Sequence, residues 1–159
     1  MTAILKKMKK DEKGFTLIEL LAVIVILGII AAIAIPLIGN VMNNSRTKSD
    51  FQTARQVYDA ARLYVTNELN GEFQKTGGLT ITVGPATTLG SLQEKGYLDK
   101  KISLPSSKKE ITGGTVVFTA TGQLQYVSLT TTEATKFYKG NEILAGEGTA
   151  VNSANEASQ

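Results

Sequence analysis

The stretch Lys13–Ile38, KGFTLIELLAVIVILGIIAAIAIPLI, decides the fold. After Lys13 it carries a single charge, Glu19, and its apolar residues occupy every face of a helix, as in a membrane span. From Phe15 to Ile38 such a helix extends on the order of 36 Å, enough to cross the hydrocarbon of a bilayer. Ile and Val are poor helix formers in water, but lipid forces the backbone to bond internally. A carboxylate at the centre of such a span costs roughly 2.5–3.5 kcal/mol. Glu19 lies near the start of the run, where it can reach toward the interface. Even so, an acid in this setting calls for a partner.

Outward from Glu19, the string Gly14-Phe15-Thr16-Leu17-Ile18-Glu19-Leu20-Leu21 follows a Lys-rich segment and opens the apolar helix. It resembles the class III signal of type IV pilins and their relatives, the pseudopilins of type II secretion and the competence pilins of Gram-positive bacteria. The likeness is close over residues 9–40; beyond them it is architectural. The resemblance implies an α+β pilin fold, with a long N-terminal helix packed on a small antiparallel sheet. It implies that residues 1–14 are a leader, cut between Gly14 and Phe15 by a membrane-embedded prepilin peptidase, and that the new amine of Phe15 is methylated. It implies that Glu19, with Phe15 and Thr16, sets the register of a helical filament of identical subunits, each acid neutralising the Phe15 amine of a neighbour. In related filaments the segment matching Gly28–Pro36 loses helical structure, which implies an extensible stretch here. The implied partners are an assembly ATPase and a membrane platform protein. The subunit would be a single-pass protein of the cytoplasmic membrane before assembly and part of an extracellular pilus afterwards.

Composition agrees with this outline. A chain of 159 residues suits one small domain plus an anchor. It has no Cys and no His, so the usual zinc, thiolate and Ser-His-Asp chemistries have no residues to work with. Many Gram-negative pilins close a C-terminal loop with a disulfide; the absence of Cys therefore leans toward the Gram-positive relatives. The net charge of +3 resides in residues 1–14, where Lys6, Lys7, Lys9, Lys10 and Lys13 outweigh Asp11 and Glu12. That segment reads as a positive-inside topology signal, with a solvated basic tail as the plain alternative. It is not an argument for nucleic-acid binding by the rest of the chain.

A rival signal lies further along. Ala32-Ile33-Ala34 is an A-x-A pattern after a hydrophobic core, and cleavage there would release a protein starting at Ile35. That reading leaves Gly14 and Glu19 without a purpose. Gly28 and Pro36 weaken the helix: Gly costs roughly 1 kcal/mol relative to Ala, and Pro removes a backbone donor. A simple kink in a continuous helix is the alternative to melting.

From Gly39 to Leu69 polarity rises but the helical period persists, with Phe51, Ala54, Val57, Tyr58, Ala61, Tyr64, Val65 and Leu69 at three- and four-residue steps. The expected helix is 15–70, apolar over 15–38, and Asn70-Gly71 ends it. Residues 71–144 are expected to form a β-rich domain. Leu79–Val83 is a short strand ended by Gly84-Pro85, and Leu89–Lys95 a short helix capped by Thr88. Lys100–Gly114 reads as a loop. Thr115–Ala120 and Gln123–Leu129 read as strands joined by a Thr121-Gly122 hairpin turn, with Leu124 and Tyr126 on one face and Val127 and Leu129 on the other. Thr132–Leu144 is a third strand or a short helix. Residues 145–159 hold Val151 as their lone large apolar side chain and read as a flexible tail.

Lys100, Lys101, Lys108 and Lys109 form two small basic clusters. They read either as solvated loop charges or as a weak polyanion contact, such as DNA, multiplied along a filament. No aromatic residues interleave with them, which argues against strong single-strand binding. No phosphate-cradling loop, metal-spaced carboxylate set, cofactor motif or nucleophile–base constellation is apparent, so an enzyme is not expected. The function expected is that of a structural subunit, the major pilin of a type IV pilus or pilus-like filament used for adhesion, motility or DNA uptake. The alternatives are a type II secretion pseudopilin and a monomeric membrane-anchored or secreted binding domain.

Overall fold

The computed structural model describes residues 16–159. The leader, Gly14 and Phe15 lie outside the described residues. The uninterrupted run of good helix formers and lipid-compatible Ile and Val forms one helix, α1 (Leu17–Glu68). It passes through Gly28 and Pro36 without a break. Asn70 at φ +51 ends it, with the Gly71 N–H donating back to the Val65 carbonyl at 2.9 Å, a left-handed C-terminal stop of the kind the Asn-Gly pair favours.

The chain divides into two compact units, the first ending at Val41 and the second running Met42–Gln159. In the first, no described residue is buried, and α1 is long and apolar enough here to cross a membrane. In the second, α1 buries one stripe: Asp50, Phe51, Thr53, Ala54, Val57, Ala60, Ala61 and Val65. Leu and Ile on all faces give way here to small and β-branched residues on one face, which lets the helix sit closely on a sheet.

That sheet has four strands in the order β1 (Leu79–Thr82), β4 (Gly113–Phe118), β5 (Leu124–Thr130), β6 (Thr135–Lys139), all antiparallel. Its inner face supplies Val116, Phe118, Val127, Leu129 and Tyr138 to the core under α1. Phe51 meets Tyr138 edge-on at 6.2 Å between ring centroids, and Phe73 meets Phe118 at 5.4 Å. The hairpin turn falls where the Thr121-Gly122 pair places it, Gly122 having φ +82. A register shift between Val117 and Phe118 rotates the strand end. As a result Leu124 is buried together with Val127 and Leu129, contrary to strict alternation.

Three local expectations need correction. Leu89–Lys95 is not a helix. Gly90 at φ +78 interrupts it, and a single turn follows, in which Ser91 rather than Thr88 supplies the cap, its Oγ accepting from the Glu94 N–H at 3.2 Å. Within the expected loop Lys100–Gly114, β2 (Ser103–Leu104) pairs with β3 (Lys109–Glu110), because Leu104 and Ile111 are buried and draw the segment inward. The region after Lys139 is both alternatives at once: β6 runs directly into α2 (Gly140–Ala145).

Residues 145–159 are not a flexible tail. Val151 exchanges two backbone hydrogen bonds with Phe137, covering the β6 edge, and α3 (Ala154–Ala157) contacts β5 and β6 with Ala157 buried. The Ser153 side chain caps α3 by accepting from the Glu156 N–H. Poverty in large apolar residues misled here, since backbone pairing and one buried methyl need none.

Candidate functional site at the helix N-terminus

Thr16 is the residue before α1, and Glu19 is the only acid in its first turn. The Glu19 Oε2 accepts from the Thr16 N–H at 2.9 Å and from the Thr16 hydroxyl at 3.0 Å, while the Glu19 N–H donates to Thr16 Oγ1 at 3.2 Å. This is a capping box, two orphan donors of a helix start satisfied reciprocally. A carboxylate at this place also complements the positive end of the helix dipole. Oε2 carries both bonds, and among the described residues Oε1 has no partner. The acid is thus aimed at the helix start, beside the amide that joins Thr16 to Phe15. The T-x-x-E spacing before an apolar run was the sequence signal for this geometry, and it was missed.

Gly28 and Pro36 both lie inside helical turns. A Cβ built on Gly28 would meet nothing within 4 Å, so packing in the single subunit does not require glycine there.

The lysine clusters are separated by the β2–β3 hairpin. Lys100 and Lys101 precede it, and Lys108, at φ +57, and Lys109 stand at its return. Lys109 is paired with Glu133 at 3.3 Å, so the basic clusters are partly neutralised.

A buried polar cluster escaped the sequence reading. The Asp50 side chain is 2% exposed and accepts from the Ser106 N–H at 2.8 Å, from the Ser106 hydroxyl, and from Lys136 Nζ at 2.6 Å. Lys136 Nζ also reaches Ser106 Oγ at 2.9 Å. The cluster ties α1, the β2–β3 turn and β6 together. Beside it the Tyr138 hydroxyl is the one buried side-chain polar atom without a hydrogen-bond partner among the described residues. Burial, and then the Asp50 charge, push this phenol well above its ordinary range. The signal was available: Asp50 falls in phase with Ala54, Val57 and Ala61, and Lys136 alternates with Tyr138 toward the inner face.

Residues 9–35 match the family model for the prokaryotic N-terminal methylation motif. No solved structure matches this chain. The long apolar helix on a small four-stranded antiparallel sheet is the α+β arrangement of type IV pilins. The motif supports a type IV pilin-like or pseudopilin-like subunit, implies prepilin peptidase processing and assembly into filaments, and fits a membrane-anchored protein. This chain carries a type IV pilin-like class III signal at its N-terminus.

Proposed function

We propose that this chain is the repeating subunit of a type IV pilus or pilus-like filament assembled from the membrane. The observation that carries the reading is Glu19, the lone acid in the unburied apolar part of α1, fixed at the helix start by a capping box with Thr16. Cleavage between Gly14 and Phe15 would create a positive amine one residue before Thr16, within the reach of such an acid on the same or an adjoining copy. A subunit seated one step out of register leaves both charges unpaired in apolar surroundings, which selects the register. Methylation of Phe15 keeps that amine charged. The apolar helix is already solvated by lipid, so moving it into a filament core gains little, and extraction must be driven by an ATPase acting through a platform protein. Gly28 and Pro36 are the places where the helix yields most readily in that transfer. Lys100, Lys101 and Lys108, with Lys109 partly held by Glu133, would supply at most a weak polyanion contact repeated along the fibre.

The test is intact-mass and N-terminal analysis of protein purified from its own host. A start at methylated Phe15 is expected. A start at Ile35, or retention of Met1, would overturn the reading.

A further inference from the structure

In the second unit α1 lies on the sheet mainly through short side chains, Ala54, Val57, Ala60, Ala61 and Val65. Phe51 is the one bulky side chain among its fully buried residues. Apolar attraction has no direction, and a stripe of short side chains offers little resistance to sliding along the helix axis. Directional bonds are few. Among the described residues, hydrogen bonds and ion pairs join α1 side chains to other elements at Asp50 and at Glu68. Glu68, in the last turn, accepts from the Tyr97 hydroxyl at 3.2 Å in an exposed position. Asp50 is the first buried residue of α1, and its two oxygens hold separate elements. Oδ1 accepts from the Ser106 N–H at 2.8 Å, on the β2–β3 turn, and Oδ2 accepts from Lys136 Nζ at 2.6 Å, on β6. Thr53, the other buried polar residue of the stripe, donates its hydroxyl to the Ser49 carbonyl of its own helix.

Resting on the filament reading above, we propose that Asp50 is a mechanical stop, which fixes the axial position of α1 on the sheet and passes tension from the helix into the β2–β3 turn and β6. In a fibre whose subunits cohere through their apolar helices, a pull reaches the folded domain from the N-terminal side of α1. Asp50 is the first buried group that such a pull meets. Moving α1 by one turn toward its N-terminus shifts Asp50 by about 5.4 Å, so its bonds to Ser106 and Lys136 break together. The i, i+4 spacing then sets Ala54, a methyl group, opposite the Lys136 ammonium, which loses its partner. The contacts of the Ala and Val stripe re-form at the new position, whereas those of Asp50 do not. The chain has no Cys, so no disulfide carries this tension in place of the acid.

The absence of Cys also lets force be applied between chosen points. Full-length protein in detergent micelles carries handles at Asn44→Cys and Gln123→Cys, both exposed positions. Gln123 follows Gly122, where an added Cβ would lie 3.1 Å from Phe73, just past the end of α1, so this pair loads the helix along its length. A second pair, Lys95→Cys with Gln123→Cys, loads the domain without pulling on α1. In the first geometry Asp50→Asn should rupture about tenfold faster than the unsubstituted protein at the same force, and Ser106→Ala severalfold faster. In the second geometry both rates should change much less. Equal acceleration in the two geometries would make Asp50 an ordinary stabilising contact and overturn the proposal, as would no acceleration in the first. Where Asp50→Asn does not fold, Ser106→Ala, which keeps its backbone bond to the acid, decides alone. Either adverse result leaves the filament reading standing; a mature start other than Phe15 would overturn that reading without altering the rupture rates.

Discussion

Lys136 sets its ammonium 2.6 Å from the Asp50 carboxylate and joins β6 to α1. The acid is almost wholly buried, while a third of the lysine side chain reaches solvent. Removing the lysine strands a charge rather than merely deleting a contact. We expect Lys136→Met to destabilise the protein by about 3 kcal/mol, and the paired change Asp50→Leu with Lys136→Met to recover most of that loss. Thermal unfolding in detergent micelles measures both. A single variant as stable as wild type would show that the pair does not clamp the helix.

Tyr138 gives a prediction with a pH window. The unfolded phenol ionises near pH 10, whereas burial and Asp50 hold the folded one protonated to higher pH. Above about pH 10 the folded chain therefore binds more protons than the unfolded chain. The contribution of Tyr138 to stability is whole below that value and falls as pH rises through it. Tyr138→Phe removes an unpaired buried hydroxyl and keeps the ring against Phe51. It should raise stability at pH 7 by about 1 kcal/mol and flatten the alkaline decline. Urea midpoints at pH 7 and pH 11 decide. An equal decline in both proteins would mean that Tyr138 does not titrate as argued.

The same two clusters show where the sequence was legible. The apolar run, the amphipathic stripe from Phe51 to Val65, the Asn70-Gly71 stop and the Thr121-Gly122 hairpin all follow from periodicity and turn chemistry, which are local. Asp50 falls in phase with the apolar stripe, but burial of an acid depends on Lys136, far away in the chain and paired through the fold. Docking of the C-terminal segment failed for a related reason: Val151 is held by backbone bonds to Phe137, which side-chain pattern does not encode. At the N-terminus the Thr16–Glu19 spacing carries the capping geometry locally.

That geometry separates two roles of Glu19. A capping box accepts Gln in place of Glu, so Glu19→Gln keeps the helix start and removes the charge. Thr16→Val does the reverse, at a cost of about 1 kcal/mol in helix stability. If the charge sets register, Glu19→Gln should be inserted and processed yet give few filaments, while Thr16→Val should assemble at near wild-type yield. Sheared-filament yield with intact mass of the membrane fraction separates the cases. Normal filaments from Glu19→Gln would show that the cap, not the charge, is what the residue supplies.

The C-terminal segment supports a last prediction. Its Val151 closes the outer edge of β6 opposite Phe137, and α3 covers part of β5 and β6. Phe137 and Tyr126 stack at 5.9 Å on the face turned away from Val127 and Tyr138, and both are half-buried. Deleting residues 147–159 would bare an unpaired strand edge next to two aromatic rings, the combination that templates strand pairing between chains. The truncated protein should unfold at a lower temperature than the full chain and aggregate on heating, whereas removal of a free tail would alter neither. Limited proteolysis of the intact protein gives an independent reading: cleavage within 151–157 should be slow. Rapid loss of that segment with no change in melting temperature would mean that the β6 edge is protected by something else.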